Sequence, residues 1–162
     1  MNSSNIVKGQ ELMLFHNGES IAFATSHTLT VTGNTTDISS KDHGFFAATA
    51  LTSINWEISS ENLYTDGAYN KLFDLMVNKR EPITVIFGHY ANDKVLATSG
   101  IADSTVEAWT APSDSSSTGY YTGKAYITSL TANAANGDNA TFSVTLSGVG
   151  QLEQKNYTAP TE

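Results

Sequence analysis

Apolar and polar residues alternate along most of the chain, and the period lengthens in one stretch only. Residues 11–15 and 20–24 are two short apolar runs on either side of His16-Asn-Gly-Glu19. An Asn-Gly pair between such runs is the strongest local hairpin signal, since both residues tolerate the positive φ of a type I′ turn. Residues 27–32 read as a third strand, with Leu29 and Val31 on one face. In residues 51–59, Ile54, Trp56 and Ile58 alternate with Ser53, Asn55 and Glu57, the pattern of a half-buried antiparallel strand. From 67 to 79, Tyr69, Leu72, Phe73 and Met76 recur at helical spacing, and their stripe predicts an amphipathic helix lying against the sheet. Thr65 or Asp66 can cap its start, Lys79 and Arg80 suit the negative end of its dipole, and Pro82 closes it.

Strand periodicity resumes at 83–87 and 94–99, with 89–93 as the intervening turn. A Ser-rich stretch, 110–118, reads as an exposed loop or mobile arm. Two long strands, 124–131 and 139–148, follow, joined by a turn rich in Ala, Asn, Gly and Asp. The ends, 1–10 and 151–162, are polar arms with little to bury, and neither a repeat nor a domain linker interrupts the chain. The fold class this predicts is mainly β: one domain over 1–162, an antiparallel β-sandwich or barrel with one flanking α-helix.

Composition narrows the function. The 162 residues contain no cysteine, which removes disulfides, thiolate zinc sites and cysteine nucleophiles. The formal charge of −8 opposes a protein that grips nucleic acid through its phosphates, but not one that nucleic acid slides past. No apolar run approaches the ~20 residues of a membrane helix, and the polar start carries no Sec-type leader pattern, so the expectation is a soluble protein made in the cytoplasm without a membrane partner.

Catalytic signatures are missing: there is no GxSxG elbow, no phosphate-binding Gly-Lys loop and no HExxH helix. His16, His27, His43 and His89 are scattered singly, and Asp42-His43 reads as a solvated loop pair rather than a metal site. Ser147-Gly-Val-Gly-Gln151 follows a strand and opens no helix, so its glycines serve close approach or bending of strands rather than a nucleotide. The expectation is a protein with no enzymatic activity, cofactor or metal. Trp56 reads as core by its alternation. Trp109, Tyr120 and Tyr121 are candidate interface or stacking aromatics, and in a carbohydrate-binding β-sandwich module they would be the sugar platform.

The order of the pieces carries a resemblance. Gly9-Gln-Glu-Leu-Met-Leu-Phe15 precedes Ser20-Ile-Ala-Phe-Ala-Thr-Ser26, Leu29-Thr-Val31 and Thr36-Asp-Ile-Ser-Ser-Lys-Asp42. A strand with a central Trp (Ser53-Ile-Asn-Trp-Glu-Ile-Ser59), a short helix, Lys124-Ala-Tyr-Ile-Thr-Ser-Leu130 and Thr141-Phe-Ser-Val-Thr-Leu-Ser-Gly-Val-Gly150 follow. Over nearly its full length the chain resembles the major tail tube proteins of long-tailed bacteriophages, although the Ser-rich stretch has no counterpart. The resemblance implies homo-hexameric rings stacked into a tube, with tail tip and tail terminator proteins as partners. DNA would pass the lumen without specific binding; the acidic balance fits either side chains there that repel its phosphates or residues that merely keep the subunit soluble. It also implies assembly in the bacterial host cytoplasm and a place in the virion tail. Ring stacking falls on the loop over 34–44, with Asp37, Lys41 and Asp42 offering complementary charge. A type VI secretion or contractile injection tube subunit is the near alternative.

Overall fold

A computed structural model describes residues 8–21, 24–90, 94–96, 107–109, 111–114 and 119–156. The first strands, β1 (Leu12–His16) and β2 (Glu19–Ser20), form the predicted hairpin, pairing Phe15 with Ser20 and His16 with Glu19. Asn17 and Gly18 make the turn at φ 53° and 81°, the left-handed values that a type I′ turn requires. β3 (Ala24–Asp37) and β4 (Thr49–Leu63) run antiparallel from Ala24–Asn62 to Asp37–Thr49. β5 (Ile83–His89), β8 (Tyr120–Asn133) and β9 (Thr141–Lys155) complete a seven-stranded antiparallel sheet in the order β2-β1-β5-β8-β9-β4-β3. Two short strands, β6 (Lys94–Leu96) and β7 (Glu107–Trp109), pair only with each other among the described residues.

The sheet curls around one core, bringing β1 beside β3. Leu14, Ile58, Val85, Ala125, Phe142, Val144 and Leu146 fill it, at alternate positions of five strands. The sandwich-or-barrel expectation thus resolves into a single coiled sheet whose two ends approach each other. Trp56 sits deep in this core as its alternation predicts, and its indole N–H donates to the Gly150 carbonyl at 3.1 Å. The indole occupies a slot between two glycines. A Cβ on Gly148 would fall 2.1 Å from the ring, and one on Gly123 would fall 2.6 Å from it. Of the two late glycines, Gly148 thus serves close approach of the indole, and Gly150, at φ 73° with open space around it, serves a bend of β9.

The helix α1 (Asp66–Phe73) starts where predicted, with the Thr65 hydroxyl accepting from the Ala68 N–H at 3.3 Å. It continues as a wider π-turn, Asp74–Lys79, that ends on Arg80 in the left-handed region before Pro82. Ala68 and Leu72 are buried, and Tyr69 meets the Phe142 ring edge-on at 5.8 Å. Phe73, assigned to the same stripe, instead points to solvent: the buried row follows 68, 72, 75 and 76. Removing the cap with Thr65→Ala is expected to cost about 1 kcal/mol. In a chain this size that lowers the melting temperature by roughly 2–4 °C, measurable by thermal denaturation.

Three other expectations change. Segment 94–96 does not fold back on β5, because β1 and β8 already occupy both edges of that strand; residues 97–99 lie outside the described set. The polar C-terminal arm begins later than residue 151, since β9 runs to Lys155 with Leu152 against the core. The Ser-rich stretch is held down where it is described. The Ala111 N–H donates to the Gly18 carbonyl, Pro112 is buried, and the Ser113 carbonyl accepts from Asn156. Residues 110 and 115–118, and the arms at 1–7 and 157–162, lie outside the described residues.

Candidate functional site

The feature that stands apart from the core is the far half of the β3–β4 hairpin. β9 pairs with β4 only from Leu63 to Glu57, then leaves it while remaining paired with β8 through a bulge at Gly150. Beyond Glu57, β4 has β3 as its sole partner among the described residues, so residues 31–37 and 49–56 form a two-stranded ribbon with open edges. An isolated two-stranded ribbon is marginal in water. Side-chain hydrogen bonds stiffen this one: the Asn34 amide donates to Ser53 at 3.0 Å and Asn55 at 2.8 Å, and the Thr52 hydroxyl donates to the Asn34 carbonyl.

The tip is also built from polar side chains. Asp37 accepts from the Ser39 N–H at 2.7 Å, and its hydrogen bonds to the Ser39 hydroxyl and backbone hold its carboxyl below the usual carboxylate range. Ala48 donates to the Ser39 hydroxyl at 2.8 Å, closing the turn from the other side. Lys41, Asp42 and His43 form a short 3-10 turn, with the His43 ring against Ser40. The loop expected over 34–44 therefore begins only after Asp37, because Asn34–Asp37 are strand, and it extends to Ala48. Lys41 and Asp42 are exposed there, as the loop reading requires, whereas Asp37 is engaged in its own turn.

Next to them stand two residues that the sequence reading passed over: Phe45 and Phe46 are 107% and 86% exposed. The signal was present, since the two adjacent aromatics directly follow a segment, 34–44, that is almost wholly polar. Val31, Leu51 and Ile54 continue this exposed apolar surface along the ribbon. Val31 and Ile54 also border a cleft of about 390 Å³ with Trp56, Tyr121 and Leu152.

The candidate aromatics separate. Tyr120 is buried, and its hydroxyl donates to Asp114 at 2.7 Å. Burial first, then the hydrogen bond and charge of Asp114, push its phenol up to about 12. It is a packing residue of the subunit, not an exposed platform. Tyr121 faces the other way, into the cleft. Trp109 ends β7 opposite Lys94, and its side chain lies outside the described residues. The structure thus does not bring the three together on one surface.

Among the described residues no group of three His, Asp or Glu side chains could hold a metal. No described helix is long and apolar enough to cross a membrane. His16 is buried and bonds the Thr84 carbonyl through Nδ1. Burial lowers its pKa, partly offset by that bond, and the charge of Lys79 lowers it further.

No curated protein matches the chain significantly. Among solved structures, the tail of an empty gene transfer agent particle, refined with C6 symmetry, aligns at TM-score 0.63 and 15% identity, covering 91% of this chain and 98% of that one. The virion of the native gene transfer agent particle aligns at 0.60 and 14%, covering 93% and 99%. The SPP1 tail tube aligns at 0.62 and 11%, covering 93% of this chain and 79% of that one. At these identities the likeness establishes a common fold. The sequence itself goes further: a family model described as phage tail tube protein matches residues 10–154, and the chain belongs to that family.

Proposed function

We propose that this chain is a structural, non-enzymatic subunit that forms six-membered rings stacked into the tail tube of a virion, with DNA passing through the lumen. The observation that carries this reading is the ribbon. In a member of a tail tube family, it leaves strand edges and apolar residues without partners among the described residues. Free edges invite pairing with another chain, and a ring meets that need with copies of itself. The C6 symmetry of the similar gene transfer agent tail supports six as the ring number. The acidic balance suits a wall that phosphates must pass without adhering. Assembly in the host cytoplasm, with tip and terminator proteins fixing the tube's two ends, completes the proposal.

Electron microscopy of the purified protein at rising concentration tests it. Rings or tubes with a central hole are expected, and a species that remains monomeric throughout would count against it. Within such tubes, Lys41 and Asp42 at the tip are assigned to contacts between stacked rings. Charge reversal at both, Lys41→Glu with Asp42→Lys, is expected to raise the concentration needed for assembly a few-fold, and less so at high salt, since exposed pairs are weak and screened. Unchanged assembly at low salt would remove them from that role.

A further inference from the structure

We propose that the Phe45–Phe46 tip of one subunit seats in the cleft bordered by Val31, Ile54, Trp56, Tyr121 and Leu152 of a second copy of this chain. The inference rests on the tube reading and specifies the chemistry of one of its contacts. Two phenylalanines at 107% and 86% exposure leave on the order of 300 Å² of apolar surface in water. The cleft, about 390 Å³, has the buried Trp56 in its wall, and its Val31 and Ile54 are 54% and 61% exposed. Lys41 and Asp42 beside the tip, and Gln151 and Gln154 beside the cleft, give each surface a polar rim around an apolar centre.

The subunit's own tip cannot fill its own cleft. From Val31 to Asp37 the ribbon is paired throughout, and at about 3.3 Å per residue its tip stands roughly 20 Å away. Tip and cleft are therefore different patches of one chain, and their union is head-to-tail. Such a contact repeats from copy to copy, closing a ring or extending a stack according to the rotation between copies. Two phenylalanines and a cleft bury less than the ~1,000 Å² that a stable interface needs. One contact will not hold a dimer in dilute solution, whereas a closed or stacked array engages many together.

The absence of native cysteine permits a clean test in the full chain. Phe45→Cys combined with Gln154→Cys, assembled at high concentration and mildly oxidised, is expected to give a ladder of covalent multimers on denaturing gels. Either single variant should stop at dimers. Phe45→Ser with Phe46→Ser is expected to raise the assembly concentration at least tenfold while leaving the melting temperature of the monomer unchanged, since both side chains are already in water. Wild-type tubes with no ladder from the cysteine pair overturn the cleft assignment, whether or not the serine variant assembles. A wild-type chain that stays monomeric at every concentration and yields no ladder overturns the tube reading along with it.

Discussion

Gly148→Ala is expected to destabilise the subunit by about 3 kcal/mol or slightly more, the upper part of the range for overpacked cores. The added Cβ would lie 2.1, 2.3 and 2.4 Å from three atoms of the Trp56 ring, far inside contact distance. The ring has nowhere to retreat, because Gly123 bounds it on β8 and the Gly150 carbonyl holds its N–H. Relief requires β9 to separate from β4 near Ser147–Glu57, the last pair before the strands part. In a domain of this size the loss lowers the melting temperature by roughly 6–12 °C. The mechanism is separable from a general glycine effect. Trp56→Leu alone should cost a few kcal/mol through the cavity it leaves. Added to Gly148→Ala it should cost far less than the sum, since each change removes the reason for the other's penalty. Additive losses in denaturant titrations would show that strand twist, not the indole, requires a glycine at 148.

That slot illustrates which parts of the fold were legible in the sequence. Trp56 read as core because period-2 alternation places it with Ile58, and the hairpin turn read correctly because Asn17-Gly18 is local chemistry. The buried Leu72 followed from helical spacing in the same way, and of the two capping candidates, Thr65 and Asp66, residue chemistry left the choice to the backbone, which takes Thr65. What failed depends on pairings between distant segments. Whether β5 bonds to β6 or to β1 and β8 leaves no trace in the alternation of any one strand. Tyr120 and Tyr121 are neighbours on a strand, so one had to be turned inward, but sequence alone cannot say which face is the core.

The β3 side of the ribbon was the largest miss, for a related reason. Asn34, Thr35 and Thr36 carry no apolar alternation, so they read as loop although their partner segment, 51–59, read as strand, yet cross-strand hydrogen bonds from Asn34 and Thr52 tie the two together. An element exposed on both faces has no hydrophobic period to detect. The same exposure is what frees it to meet another subunit. The least legible part of the chain is thus the part assigned to assembly. Segments that pack within the subunit announce themselves by burial, and segments that pack between subunits do so only by what they leave uncovered.

The second large effect is expected on acidification. His27 on β3 lies opposite Ser60 at the polar end of the core, where the Ser60 hydroxyl donates to the Asn62 side-chain carbonyl at 3.0 Å. Both His27 ring nitrogens and the Asn62 amide nitrogen are buried without hydrogen-bond partners among the described residues. Burial lowers the His27 pKa from 6.5 to about 4, because the imidazolium would lose its hydration and find no acceptor in return. The unfolded chain therefore takes up a proton near pH 6.5, whereas the folded chain resists until about pH 4. Stability contributed by the neutral ring is fully present above pH 6.5 and is lost as pH falls through that window, reaching about 3 kcal/mol below it. His16, also buried with a lowered pKa, acts in the same direction, so the wild-type curve alone does not isolate His27. The difference between wild type and His27→Leu does. At pH 7 the variant should match or exceed wild type, since no hydrogen bond is removed. By pH 4 it should be the more stable by a further 2–3 kcal/mol or so, read from urea midpoints across the window. Parallel curves from pH 7 to 4 would mean that the ring is hydrated or paired in solution and that its protonation costs the fold nothing.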